Sequence, residues 1–495
     1  MKPTIEFQGQ RLSADAYFER YQRSASALRA LGVGPGDVVA MMMKNSPLLL
    51  ELMLATRWIG ALWCPINWHF KTDEVQYILS NSGAKVLVAD AALLRGLAGL
   101  QLTGVSTFVA RSESSVAGLP SWEATRDAVA PLEEAAQAPR GAMFYTSGTT
   151  GRPKGIRRAA ADAAQAAAGV TVLRHVLGFE PGMRALVSAP MYHSAPNSYA
   201  IGAAGEDAHL FIEERFDAEA TLRLIDQHRI THAYLVPTMY VRLLHLSAGV
   251  KKRYDLSSMR FVGSTGSPCA PDVKRAMIDW WGPVIHEAYG SSELGYTTRL
   301  DSHEALRKPG SAGKPLPGVS IRILSDAGQT LPQRQAGLIY VHQPAFPEFT
   351  YVGNDGARQR MERDGLKTLG DIGYVDEEGF LFIIDRSADM VISGGVNIYP
   401  AEIEAVLQMM PGVADCAVFG IPDAEFGEAL AAVIQMSPDA ALDANQVQRY
   451  LQPRLAGFKL PKVVRFQDEL PREDTGKIFK RKLREPFWAG LTRRI

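Results

Sequence analysis

An α/β fold with more than one domain is what this sequence predicts, and three changes of texture along the chain predict it. Through much of the first 300 residues helix-like and strand-like segments alternate, the pattern of α/β units on a mostly parallel sheet. After about Pro309 short strands dominate, separated by turns such as Asp326-Ala327-Gly328 and Asp376-Glu377-Glu378-Gly379, which suits a small antiparallel barrel or sheet. From about Arg386 a third, α+β texture begins.

Ser13 to Leu31 reads as an amphipathic helix, and Val38 to Met43 and Lys85 to Ala89 as short apolar strands. Leu48 to Cys64 is apolar but broken by Glu51, Arg57 and Gly60, which suits a buried or amphipathic helix better than a membrane span. The alanine-rich Ala159 to Ala168 reads as plain helix. Phe216 to His228 is helical, and Thr231 to Val236 is a strand closed by Pro237. Ser320 to Leu324, Gly337 to Val341 and Phe380 to Asp385 are strands. Pro400 to Met409 is a helix, Val413 to Gly420 and Ala429 to Met436 are strands, and a basic helix lies near the end. A boundary is expected at Asp385 to Asp389, dividing the chain into domains 1–385 and 386–495.

A chain of 495 residues, 46% of them hydrophobic, can bury a large core. Lysine plus arginine (53) balances aspartate plus glutamate (53), so the basic excess of a nucleic-acid binder is absent. Cys64, Cys269 and Cys416 lie far apart with no CxxC spacing, which argues for ordinary thiols in a reducing compartment. Met1 to Gln10 has no basic region followed by an apolar run, hence no signal peptide. A soluble cytoplasmic protein without a membrane span is expected.

The strongest chemical signal is Tyr145-Thr-Ser-Gly-Thr-Thr-Gly-Arg-Pro-Lys-Gly155. Small hydroxyl and glycine residues in a row let backbone amides and side-chain hydroxyls converge on phosphate oxygens, and Lys154 adds a positive charge. It is not a Walker A loop, because Pro153 precedes Lys154 and Gly155 follows it. Further motifs follow in order: Tyr289-Gly-Ser-Ser-Glu293, Gly370-Asp371-Ile-Gly-Tyr374, Asp385-Arg386 through Ser393-Gly-Gly395, and Pro471 through Lys477.

On these motifs the chain resembles the adenylate-forming superfamily of acyl- and aryl-CoA synthetases, luciferases and peptide-synthetase adenylation domains, over nearly its whole length. The resemblance implies a large N-terminal domain of α/β subdomains plus a β-barrel, and a small mobile C-terminal domain. It implies that Thr146, Ser147, Gly148, Thr149, Thr150 and Lys154 hold the β- and γ-phosphates of ATP. Glu293, with Thr149, is implied to attend Mg²⁺, which neutralises the triphosphate. Asp371 would accept hydrogen bonds from the ribose hydroxyls, with Arg386 as its basic partner. Gly266, Ser267, Pro268, Glu287 and Tyr289 fall where the family lines its adenine pocket, and the resemblance implies that Ala288, Gly290, Ser291 and Ser292 bind cofactor alongside them. Lys477 would bridge carboxylate and α-phosphate in the first half-reaction, lowering the repulsion of two anions; its neighbours Lys480, Arg481, Lys482 and Arg484 read as solvated charges. His193 would sit beside the acyl pocket, which should also draw on Ser194, Asn197, Tyr240, Gly263, Gly290 and Tyr296 and be mainly apolar.

Three departures from the family pattern stand out, one of them Glu287 in His286-Glu-Ala-Tyr289, where asparagine or aspartate is common and where glutamate can still accept from an adenine amino group. After Gly155 relatives often carry a Ser/Thr-His pair that starts a helix, whereas this chain reads Ile156-Arg-Arg-Ala-Ala160, so helix initiation must differ. At the hinge Ala388 stands where aspartate or lysine is usual, with Asp389 next to it.

Ser393-Gly-Gly-Val-Asn-Ile-Tyr-Pro400 and Phe458-Lys459-Leu-Pro461 look like the coenzyme A ligase form of these segments. The implied activity is therefore an AMP-forming acid–thiol ligase, consuming ATP and coenzyme A. Its acid would be medium- or long-chain, aromatic or alicyclic. A carrier protein as acceptor, or a catalytically silent nucleotide-binding relative, are the alternatives. The family also implies a homodimer, and Pro471 with Gly476-Lys477 resembles a target of protein acetyltransferases.

Overall fold

Helix starts follow capping residues. Ser13 accepts from the Ala16 amide to open Ala14–Ala30, and Ser46 accepts from Leu49 to open Pro47–Trp58, where proline occupies the first turn. The latter helix is buried almost throughout, Glu51 included. Three partners answer that carboxylate: Arg20 at 3.0 Å, Arg126 at 3.3 Å and the Ser24 hydroxyl at 2.5 Å. A charge without them would not be tolerated there.

The computed structural model describes residues 1–110, 118–146, 153–386, 389–394, 396–438, 440–472 and 478–489. The chain forms two units, Met1–Val319 with Gln343–Arg363, and Ser320–His342 with Asp364–Ile495.

In the first unit, Leu62–Pro65, Val38–Met42, Ala84–Asp90 and Ser106–Ala110 form a parallel sheet in that spatial order. Their near-continuous apolar runs are what strands covered on both faces require. A second sheet runs from Thr4–Phe7 through His209–Ile212, Arg184–Val187, His232–Tyr234, Phe261–Ser264 and Ile285–Ser291, all parallel. Gly295–Leu300 and Ser311–Pro315 extend it antiparallel. A third sheet places Lys154–Arg158 between Phe144–Thr146 and Phe349–Tyr351.

The alanine-rich stretch departs from expectation at its start. Arg157 and Arg158 belong to a strand, and the helix begins only at Ala163. Asp162 accepts from the Gln165 amide at 2.7 Å, and the Gln165 side chain returns to the Asp162 amide. This capping box replaces the absent Ser/Thr-His start.

In the second unit, Ser320–Leu324, Gly337–His342, Leu366–Val375 and Leu381–Arg386 pair antiparallel in that order. A separate sheet joins Val396–Ile398, Val391–Ser393, Gly427–Met436 and Val413–Asp423, with Val463–Gln467 parallel to Gly427–Met436. Ile403 and Leu407 of Pro400–Gln408 and Val447 and Leu451 of Ala444–Leu451 bury against it. Lys480 is not the solvated charge its basic neighbourhood suggested: it pairs with Glu404 at 2.8 Å, and Glu404 also accepts from the Val418 amide. The three cysteines are buried free thiols. Among the described residues no helix is long and apolar enough to cross a membrane.

Asp162→Ala removes half of the capping box and should cost about 1 kcal/mol locally. Amide exchange in Ala163–Leu177 should quicken about fivefold; unchanged exchange there would show that the cap does not hold the helix.

Candidate active site

The phosphate-loop motif is anchored at both ends by a hairpin, in which Thr146 lies opposite Lys154. Ser147, Gly148, Thr149 and Thr150 lie outside the described residues. Gly155 is fixed by sterics: a Cβ there would stand 2.7 Å from the Tyr145 ring, whose hydroxyl donates to Asn81 at 2.8 Å.

Around this hairpin three expected residues converge. Glu293 is only 9% exposed, and its carboxylate accepts from the Thr146 hydroxyl at 3.4 Å and the Tyr351 hydroxyl at 3.1 Å. The Lys154 ammonium stands 5.2 Å over the Tyr351 ring. Burial, and then the charge of Glu293, push the Tyr351 phenol well above its ordinary range. Tyr351 therefore donates at neutral pH. Sequence reasoning did not single it out, because no motif surrounds it.

Arg158 was missed as well. Its guanidinium donates to the Ser292 carbonyl at 3.0 Å, the Glu293 carbonyl at 2.7 Å and the Pro347 carbonyl at 2.7 Å, and it stacks near Phe346. Burial lowers its pKa to about 10, so it remains charged at neutral pH. One side chain thus ties the strand that carries Lys154 to the turn that carries Glu293. Strand alternation held the clue: residues 154, 156 and 158 share a face, so a buried Ile156 turns Arg158 inward, where it is half-buried.

The expected adenine-lining segments follow the carboxyl ends of two parallel strands, where open α/β sheets hold ligands. Gly266, Ser267 and Pro268 follow Phe261–Ser264; Glu287, Ala288, Tyr289, Gly290 and Ser291 end the Ile285–Ser291 strand. The register shifts between Tyr289 and Gly290, and a Cβ on Gly290 would collide with the Gly295 carbonyl. Ser292 donates to the Ser194 hydroxyl at 2.8 Å, joining this turn to the helix Ser194–Gly205. Glu287 is largely enclosed, its side chain 13% exposed, and is paired with Lys274 at 2.5 Å.

His193 sits at the N-cap of Ser194–Gly205, its Nε2 buried without a hydrogen bond. Burial, and then the nearby His69, depress its pKa to about 4, so the ring is neutral at physiological pH. Asn197 is committed to packing: it accepts from the Trp63 indole at 3.0 Å and donates to the Met191 carbonyl at 2.8 Å. Tyr240 and Tyr296 are buried, and Gly263 lies beside Leu177 and Tyr234.

The second unit holds the remaining expected residues. Asp371 is 5% exposed, lies opposite Arg386 in the ladder and pairs with it at 3.3 Å. Ser393 ends its strand; Gly394 has φ 55° and donates to the Phe426 carbonyl at 2.9 Å. Lys459 pairs with Glu402 at 2.6 Å. The Asp389 amide donates to the Arg386 carbonyl at 3.0 Å. Ala388, Gly395 and Lys477 lie outside the described residues.

No cluster of three or more His, Cys, Asp or Glu able to hold a metal occurs among the described residues. A Mg²⁺ carried by substrate phosphates needs only one or two carboxylates, and the Glu293 carboxylate beside the phosphate-loop hairpin would fit as one of them.

A family model described as AMP-binding enzyme matches residues 1–347, and one described as AMP-binding enzyme C-terminal domain matches 402–477. The chain is similar to a feruloyl-CoA synthase from Amycolatopsis sp., 34% identical, covering 94% of this chain and 92% of that one. It is also similar to an indoleacetate–CoA ligase from Aromatoleum aromaticum, 33% identical over 98% of this chain and 95% of that one. The ATP-bound crystal structure of MatB from Rhodopseudomonas palustris superposes with a TM-score of 0.86 at 31% identity, covering 99% of this chain and 97% of that one.

Arg158→Leu leaves three carbonyls without their donor and should destabilise the first unit by about 3 kcal/mol, read as a lowered urea midpoint. Arg158→Lys should recover only part of that, because an ammonium cannot reproduce the planar fork. His193 sets a pH window. Above pH 6.5 it is neutral folded or unfolded; as pH falls towards 4 only the unfolded chain takes up the proton, so stability is lost across that interval. His193→Gln should make urea midpoints less pH-dependent between those values, and an unaltered slope would show that the ring titrates normally.

Proposed function

Because the chain belongs to the AMP-binding enzyme family, we propose that it works as an ATP-dependent acid–thiol ligase running two half-reactions at one site. First, a carboxylate attacks the α-phosphorus of ATP, giving an acyl-adenylate and pyrophosphate. Then the coenzyme A thiol attacks the acyl carbon, loses its proton and expels AMP. The acid is medium- or long-chain, aromatic or alicyclic.

The observation that carries this reading is the convergence of Thr146, Lys154 and Glu293 from separate segments onto one hairpin. Thr146 and Lys154 hold the β- and γ-phosphates together with the loop between them. Bound Mg²⁺ would supply charge neutralisation of the leaving pyrophosphate, with Glu293 and Thr149 as its protein neighbours. Asp371, aligned by Arg386, accepts from the ribose hydroxyls. Lys477 answers the charge of the two meeting anions in the first half-reaction. Ser393, Gly394 and Gly395 take its place in the second, with Lys459 nearby in the coenzyme A-type segment. One site used twice needs two orientations of a lid, residues 386–495, pivoting at Ala388 or Asp389. A cytoplasmic setting, a homodimer and control by acetylation of Lys477 accompany this reading.

Coenzyme A-dependent AMP release across a panel of carboxylic acids tests it; no release with any acid would overturn it. Lys477→Ala should lower acid-dependent ATP–pyrophosphate exchange on the order of 10²–10³-fold, while thioester formation from supplied acyl-adenylate largely survives. Equal loss in both half-reactions would end the assignment of Lys477 to the first alone.

A further inference from the structure

Below the adenine-lining segments the structure buries a set of polar groups that an apolar acid would not use. Ser264 and Glu287 are register partners at the carboxyl ends of neighbouring parallel strands. Lys274 reaches Glu287 at 2.5 Å from the helix Pro271–Trp281. Tyr240, from the helix Pro237–Leu244, is fully buried and interacts with both Ser264 and Glu287. Tyr296 is the register partner of Gly290, three residues after Glu287, and both it and Tyr240 act electrostatically on the buried Tyr234.

These groups are under-satisfied. The hydroxyls of Tyr240 and Ser264 lie within reach of each other in poor geometry, and neither they nor the Tyr296 hydroxyl makes a well-formed hydrogen bond. Under-satisfied buried hydroxyls are rare, since each forfeits its hydration, and three in one cluster leave donors and acceptors for a partner. Two of them, Tyr240 and Tyr296, belong to the expected acyl pocket, and Ser264 stands one residue after Gly263.

The chemistry of that partner follows from the charges. Lys274 and Glu287 neutralise each other, so neither a second carboxylate nor an amine finds an unanswered charge there. A neutral hydroxyl does fit, accepting from a tyrosine and donating to a serine or carboxylate oxygen. Resting on the ligase reading above, we infer that the acid carries a hydroxyl at its end remote from the carboxylate, and that Tyr240, Ser264, Tyr296 and the Lys274–Glu287 pair recognise it. Glu287 then serves the acid and not adenine. Sites built to bond a substrate hydroxyl discriminate against the analogue that lacks it, because their own polar groups are left stranded.

The test compares kcat/KM in ATP–pyrophosphate exchange for matched acids: 4-hydroxycinnamate against cinnamate, and 3-(4-hydroxyphenyl)propanoate against 3-phenylpropanoate. A third arm replaces the distal hydroxyl with a carboxylate. The unaltered enzyme should prefer the hydroxylated member by at least about tenfold, and the dicarboxylate should do no better than the acid without a hydroxyl. Tyr240→Phe and Ser264→Ala, both near-isosteric, should each move the ratio towards one. A ratio near one in the unaltered enzyme means that these hydroxyls bind only water, and overturns the inference while leaving the ligase reading intact. A ratio unchanged in both variants, or preference for the dicarboxylate, overturns it too. If every acid is inert in exchange and in AMP release, the ligase reading falls and this inference with it.

Discussion

The strand Lys154–Arg158 is the constraint on which the site depends. Hydrogen-bonded on one edge to Phe144–Thr146 and on the other to Phe349–Tyr351, it cannot slide by one residue without turning Lys154 and Arg158 to the opposite face. Its register sets Lys154 over Tyr351, Thr146 against Glu293, and Arg158 beneath the carbonyls of Ser292 and Glu293. Segments nearly 150 residues apart in sequence are thereby aligned to hydrogen-bond precision. Arg158 is an unusual choice for that role, since burying a guanidinium is costly unless its donors are met. Three carbonyl acceptors meet them here.

Much of this was legible in the sequence, and the reasons differ by element. The apolar runs Val38–Met42 and Ala84–Asp90 announce buried parallel strands without help from context. The glycine- and hydroxyl-rich loop stands out through residue type alone, and the hairpin that pairs Thr146 with Lys154 brackets it. What escaped was set by tertiary contact. Arg158 and Lys480 look like ordinary surface charges until the carbonyls of residues 292, 293 and 347 and the carboxylate of Glu404 are brought up to them. The helix after the phosphate loop was read too early, because Ala159 to Ala161 favour helix locally while the strand ladder with Phe349–Tyr351 claims the residues just before them. Asp162 then sets the true start.

The acyl side of the site illustrates the same limit. Met191 to Ser198 and Gly290 to Ser292 contain no acidic or basic residue apart from the neutral His193, and an apolar pocket is the natural reading of them. The charged pair beside them comes from elsewhere: Lys274 from a helix face and Glu287 from a strand that a period-two pattern would leave undecided. Burial raises the Glu287 carboxyl, and Lys274 opposes that shift.

Glu51 carries a consequence for how the molecule is made. Arg20 precedes it in the chain, but Arg126, its second cationic partner, lies 75 residues later. The environment of the Glu51 carboxylate is therefore complete only when the segment Trp122–Asp127 is in place beside the helix Pro47–Trp58.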